Sequence, residues 1–233
     1  NTNSDNPVFD NQAQFNIQTD STITGDNSNL EQFLNTGTVT KNTTTGTTTL
    51  SNVRFTNNAP GTLDVQTGTV ALASGDASAS TFNIASGAFV DFTGSYALNA
   101  GASITGAGVA RMGGTPTLTI GGAVSVDNLN VPSGTLTGAG TLTVNGALNW
   151  SGGTMAGGSA QTVVASGANL NVTGPVSLSR LITNQSGGTI ALSGTGQVNT
   201  NSDGAVLNNQ AGGLVDIQNN GGFTGDNTNL ETI

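Results

Sequence analysis

Five acids crowd the start of the chain, Asp5, Asp10, Asp20, Asp26 and Glu31, and no other stretch gathers as much potential chemistry. Clustered carboxylates can act as acid and base on glycosidic bonds, and oxygen-rich loops can hold hard cations. Composition closes most other routes. The chain has no His and no Cys, which removes Ser-His-Asp and Cys-His nucleophiles, His or thiolate zinc sites, and disulfides. Neither GxSxG nor GxxxxGK followed by Ser or Thr occurs.

A second copy of the acidic stretch tests it. TGDNSNLE at Thr24 to Glu31 returns as TGDNTNLE at Thr224 to Glu231, and NTNSD at Asn1 to Asp5 returns at Asn199 to Asp203. Between these anchors Val8 matches Val206, Asn11-Gln12-Ala13 matches Asn209-Gln210-Ala211, and Ile17-Gln18 matches Ile217-Gln218. The offset grows from 198 to 200, so two residues were inserted on the way. Asp5, Asp26 and Glu31 are kept as Asp203, Asp226 and Glu231, while Asp10 and Asp20 become Asn208 and Asn220. Such a loss is foreign to an active site, and no catalytic residue is expected.

The retained loop is the one candidate metal site. It offers Asp26, Asn27, Asn29 and Glu31, with the twins Asp226, Asn227, Asn229 and Glu231, and Ca²⁺ is the cation that oxygen ligands of this kind suit. Calcium aside, no cofactor is expected. In an extended strand, alternation sends Asn27, Asn29 and Glu31 to one side and Asp26 with Leu30 to the other, which splits the ligands. The loop therefore reads better as a corner in which Asn and Asp cap their own backbone. The corner predicts a melting curve that ignores millimolar calcium and chelator; a rise with calcium, as linkage demands of a ligand bound to the folded state, would refute it.

The elements that position these residues follow from composition and period. Charged residues are 7% of the 233, with 13 acids against four bases, and Gly is 35; an ordinary domain is roughly 25% charged. Recurrent Val, Ile and Thr argue for ordered strands rather than disorder. Lys41, Arg54, Arg111 and Arg180 are scattered, so no basic stripe awaits a phosphate backbone. Apolar runs are a few residues long, too short for a membrane-spanning helix. The start at Asn1, with no Met and no charged-then-apolar leader, fits a mature or excised piece of a longer protein.

No helical period appears, while alternation is everywhere: Leu63 and Val65, Val90 and Phe92, Leu118 and Ile120, Leu142 and Val144, Leu170 and Val172, Ile190 and Leu192. Gly, Asn, Ser and Pro separate these short strands. A longer period joins them, with similar segments starting at Val8, Leu30, Val53, Leu181 and Val206, each an apolar start, an amide-rich corner and a strand. Periods of this length mean stacked repeats. The expected fold is all-β, a right-handed parallel β-helix or β-solenoid of about ten turns of roughly 20 to 29 residues, a rod roughly 45 Å long. Strands such as Leu63–Val65 and Val90–Phe92 would then stack in parallel. A two-sheet sandwich fits the strands but leaves the repeated corner unexplained.

Three side-chain patterns invite sharper ideas. The Thr-rich run from Thr38 to Thr49 suggests a water-ordering ladder, but its Thr residues are consecutive, and β-propensity on an exposed strand explains them. Trp150 and Tyr96 are single examples of their types, too few for a sugar-stacking platform, and Trp150 alternates with Leu148 as core. Sequons at Asn42, Asn149, Asn171 and Asn184 matter only in a eukaryotic secretory host.

LNTGTVTKNTTTGTTTLSNVRFTNNAPGTLDVQTGTVALASG, Leu34 to Gly75, and GTLTGAGTLTVNGALNWSGGTMAGG, Gly134 to Gly158, resemble the repeats of filamentous-haemagglutinin-like and autotransporter-like β-helix exoproteins of bacteria. The resemblance covers nearly the whole chain and carries no active-site residues. It implies an exported, rod-shaped, adhesive protein. Together these features lead to a single β-solenoid segment over 1–233, with 1–33 and 199–233 as corresponding parts of successive tandem units of about 200 residues. The expected role is a stalk or filament segment of an adhesin-like surface protein, extracellular, stacked end to end on neighbouring units, with host or matrix glycans or proteins as further partners. Nucleic acid and a membrane span are not expected. The alternative is a carbohydrate-binding or carbohydrate-active β-helix.

Overall fold

The computed structural model describes residues 7–25, 31–200 and 205–225. Within them the chain is all-β, and 24 strands join one continuous sheet in which every pairing is parallel. The sheet is wound into a solenoid with three faces. Face A climbs from Val8–Asn11 through Glu31–Asn35 and Thr117–Ile120 to Gly222–Thr224. Face B climbs from Gln14–Ile17 through Thr81–Ile84 to Val206–Asn209. Face C climbs from Thr22–Thr24 through Asn169–Val172 to Leu214–Ile217.

Alternation sets what points inward. In Thr81–Ile84, Phe82 and Ile84 are buried, whereas Thr81 is half-buried and Asn83 exposed. Stacked turns put like positions in columns, so Val39, Leu63, Phe82, Ile104, Val126, Val144 and Val164 form one interior file on face B. All seven are buried. Each such side chain removed from water contributes about 1.5 to 3 kcal/mol. Tyr96 and Trp150 are buried in the same core.

Two details differ from the sequence expectation. Leu63 and Val65 stack on Phe82 and Ile84 of face B, while Val90 and Phe92 lie on face C above Val70 and Leu72, so these strands lie on different faces and not in one ladder. The shortest turns are also tighter than expected: Thr117 already stacks on Thr135, whereas the longest step on the same face runs from Asn199 to Thr224. The short turns have corners reduced to one or two small residues, such as Gly121-Gly122. Longer strands bend around a corner without ending: Thr47–Asn58 turns at Asn52, whose φ is 55°, with its register broken between Leu50 and Arg54.

The amide-rich corners form a ladder inside the solenoid. Asn11 donates to Asn35 Oδ1 at 2.7 Å, and Asn35 donates to Asn57 Oδ1 at 2.7 Å. Asn35 also reaches the carbonyls of Thr62 and Gly37, and Asn57 that of Thr81. These amides donate both to one another and to backbone carbonyls beside the corner, which is how an Asn can be buried there. Asn184 and Asn209 repeat the contact at 2.8 Å on another edge of the solenoid.

The duplicated ends are structural copies in their strand boundaries. Val8–Asn11, Gln14–Ile17 and Thr22–Thr24 return as Val206–Asn209, Leu214–Ile217 and Gly222–Thr224, at the offsets of the sequence match. The copies do not occupy the same faces. The first set lies on A, B and C in order, the second on B, C and A. The two inserted residues are Gly212 and Gly213, in the corner after Asn209-Gln210-Ala211. That corner now sits above Gly187, at the edge between B and C, and the Gly187 N–H donates to the Gly212 carbonyl at 2.8 Å. Gly187 and Gly212 have φ of 80° and 85°, a conformation costly for any residue with a Cβ. The insertion thus fits a duplicated corner to a different edge.

Candidate functional site

Acids come first, since they alone in this sequence could serve as acid and base near neutral pH. Among the described residues each Asp faces donors. Asp10, Asp64 and Asp216 each accept from the Gln two residues on, Gln12, Gln66 and Gln218, at 2.6 to 2.7 Å. Asp76 pairs with Arg54, Asp91 takes a two-pronged bond from Arg111 at 2.6 and 2.8 Å, and Asp127 accepts the Gly106 N–H at 2.9 Å. Among the described residues no three carboxylates gather as a metal centre would need.

Asp20 sits in the corner between Gln14–Ile17 and Thr22–Thr24 and meets a buried cation. Lys41 occupies an interior file between Ile17 and Val65 and is fully buried, and its ammonium emerges at the corner to meet Asp20 Oδ1 at 2.8 Å and Thr44 Oγ1 at 2.9 Å. The Lys41 hydrogen bond, helped by that from Thr44, holds the Asp20 carboxyl below its ordinary value. A lowered folded value means stability that is present above the unfolded value near about 3.9 and is lost as pH falls through the folded one. Asp20→Asn should therefore be less stable than the parent at neutral pH, with the gap closing on acidification; a gap independent of pH in chemical denaturation would contradict this. Lys41→Met fits the apolar file and should cost less than Asp20→Ala, which leaves the ammonium without its counter-ion.

The other cations are equally committed. Arg111 lies 3.8 Å from the centre of the Phe89 ring while pairing with Asp91. Arg180 is fully buried at a corner, and its Nη2 donates to the Gln161 carbonyl at 2.8 Å and the Gly140 carbonyl at 3.3 Å. Burial lowers its pKa to about 10, so it stays charged near neutral pH and fastens adjacent turns.

Of the candidate calcium ligands, Asp26, Asn27, Asn29, Asp226, Asn227, Asn229 and Glu231 lie outside the described residues. Glu31 is half-buried at the start of Glu31–Asn35. A Cβ built on Gly25 would fall 1.9 Å from Glu31 Oε2 and 2.3 Å from the Asn52 carbonyl, so glycine at 25 lets this carboxylate pack against the chain.

Glu31 also borders a cavity of about 420 Å³ at the end formed by the first described turn. Its walls are apolar: Val8, Phe9, Phe15, Ile23 and Phe33. Phe9, Phe15 and Phe33 meet edge to face at 4.9 to 5.3 Å between ring centres. Phe9 belongs to the interior file of Phe33 and Phe55, yet it is 48% exposed, with no turn below it among the described residues. At the opposite end Ile217, in the interior file above Leu192, is 50% exposed. Among the described residues, interior files are open at both ends of the solenoid.

The sides are polar and nearly uncharged. The Thr-rich run is divided between faces, Thr38–Lys41 on B and the beginning of Thr47–Asn58 on C. Sequence inspection missed an outer file of hydroxyls on face B, Thr38, Thr62, Thr81, Ser103, Ser125 and Thr143, with a Thr81 to Ser103 contact at 3.2 Å. It also missed an outer amide file on face C, where Asn171 donates to Asn149 and Asn149 to Asn130, both at 2.8 Å. Knowing the turn lengths would have revealed both. Of the four sequons, Asn184 is fully buried.

Comparisons with protein-family models, with curated proteins and with solved structures find no match to this chain.

Proposed function

We propose that this chain is a structural segment of an extracellular, tandemly repeated β-solenoid: a stalk or filament piece of a large adhesin-like bacterial surface protein, without catalysis. One observation carries the reading. The duplicated end sequences fold into the same three strands, at ends where interior residues are left uncovered. A solenoid turn cannot bury its inner face alone, and a repeat of the sequence is the simplest supply of further turns. The committed carboxylates and cations fit a surface that bears load more than one that turns over a substrate, and the resemblance to filamentous-haemagglutinin-like and autotransporter-like repeats points to the cell surface.

Electron microscopy of the longer protein carrying this segment tests the proposal. An unbranched rod lengthening by roughly 45 Å per unit is expected, at about 4.8 Å per turn. Compact beads on a flexible string would overturn it. Antibodies to this segment should label intact cells, and a glycan array separates the stalk from the carbohydrate-binding alternative, since a plain stalk binds none of its sugars.

A further inference from the structure

The structure contains the duplicated turn in two settings, free at one end and covered at the other. Phe9 is 48% exposed, whereas its copy Leu207 is 7% exposed. The difference is the turn beneath. Leu207 lies on Ile182, Asn209 on Asn184, Val215 on Ile190, Ile217 on Leu192 and Phe223 on Val198. The copies of these five upper residues in the first turn are Phe9, Asn11, Phe15, Ile17 and Ile23. We infer that the open first-turn end docks on a Leu181-to-Asn199 turn of another copy of this sequence, with a shift of one face, so that Val8–Asn11 of face A lies over Pro175–Asn184 where that strand forms face B. The inference rests on the array reading above and specifies its junction.

Every contact so generated is matched in kind. Four apolar residues cover four apolar ones, and Ile182, Ile190, Leu192 and Val198 are each 3% exposed or less once the last turn covers them. Asn11 would sit on Asn184 as Asn209 does at 2.8 Å, and the amide ladder would run on without a break through Asn35 and Asn57. The first turn lacks the two glycines of its copy, which makes its corner two residues shorter. The fold tolerates that difference: Thr36-Gly37 lies next to Asn58-Ala59-Pro60-Gly61, and the register holds on both sides, Asn35 with Asn57 and Thr38 with Thr62. A shift by one face also follows from the chain itself, since its two copies occupy A, B, C and B, C, A.

A two-unit protein, residues 1–198 joined directly to 1–233, tests this, because Asn199 to Asp203 has the same sequence as Asn1 to Asp5. The chain has no Cys, so an introduced pair reports alone. Ala191→Cys in the first unit with Asn16→Cys in the second places two outward side chains on adjacent strands of the shifted junction, and most of the protein should form that disulfide under mild oxidation. Thr183→Cys with Gln14→Cys reports the unshifted junction, B on B, and should remain reduced. If the second pair closes and the first does not, the shifted junction is wrong and the array stands. Should neither pair close in a protein seen as one straight rod, the inference again falls alone. Two separate bodies joined by a flexible link, with neither pair closing, would sink both the junction and the array. As an independent measurement, Phe9→Asp should leave the melting temperature of the single chain within a few degrees, yet in the second unit it should separate the two halves into independent unfolding transitions; equal effects in both settings would overturn the docking.

Discussion

Gly75→Ala is expected to disrupt the fourth turn and lower stability more than any other single methyl addition. A Cβ at this position would fall 1.9 Å from the Phe55 carbonyl and 2.8 Å from the Tyr96 ring, and the backbone φ is 146°. Neither neighbour can retreat. The Phe55 carbonyl belongs to the strand below, and Tyr96 is buried with its hydroxyl between the carbonyls of Phe55 and Asp76 at 3.1 and 3.0 Å. Overpacking costs about 1 to 3 kcal/mol and a disfavoured backbone conformation about as much again. Thermal unfolding of the purified variant measures the loss. A companion variant, Tyr96→Phe, removes the hydroxyl without adding volume and should lose about 1 to 3 kcal/mol. Gly75→Ala with the melting temperature of the parent would mean that the Tyr96 ring does not sit against this glycine.

The second large effect is expected at Asn35, the middle rung of the buried amide ladder. Asn35→Ala leaves Asn57 Oδ1 without its donor and takes a side-chain donor from the Thr62 carbonyl, and an orphaned buried group costs about 1 to 3 kcal/mol. Asn35→Asp is more revealing because it changes almost no volume. The new carboxylate would still accept from Asn11, but its other oxygen would face Asn57 Oδ1 and the carbonyls of Thr62 and Gly37, all acceptors. The folded state would therefore favour the protonated acid, raising that carboxyl above its ordinary value. A raised folded value gives stability that is intact below the unfolded value near about 3.9 and lost as pH rises through the folded one. Denaturant titrations should show Asn35→Asp weaker than Asn35→Ala at neutral pH and recovering on acidification. The same penalty at every pH would mean that the ladder is not buried as described.

The strands were legible in the sequence because alternation is a local property: Phe82 and Ile84, or Leu118 and Ile120, declare their inner face within a single short strand. The repeat was legible for the same reason, since Asn11-Gln12-Ala13 and Asn209-Gln210-Ala211 can be matched without a fold. Which strand stacks on which was harder to read. Register depends on the summed length of three corners per turn, and that sum changes between the short step from Thr117 to Thr135 and the long one from Asn199 to Thr224, so Leu63 was set against Val90 when its partner is Phe82. The outer files of hydroxyls and amides escaped notice for that reason, as did the change of face between the duplicated ends. Lys41 could not be placed either: its TVTK strand reads as polar, and only the neighbours Ile17 and Val65 show that its stem lies in the core. As for the acidic loop, the sequence separated a corner from a calcium site only through alternation, and of its eight candidate residues Glu31 alone falls within the described structure.

The all-parallel winding has a mechanical consequence. Backbone hydrogen bonds in the three faces run along the rod, so tension between its ends pulls on them lengthwise and a terminal turn can peel away without shearing the turns behind it. The chain from Phe33 to Phe55, which lie one above the other, makes one such turn. Released and straightened, it would extend by roughly 75 Å while giving up a rise of about 4.8 Å. Such a rod would be stiff below a threshold load and extensible above it: under a sudden pull it would let out chain, and it could rewind, turn upon turn, on the columns that remain.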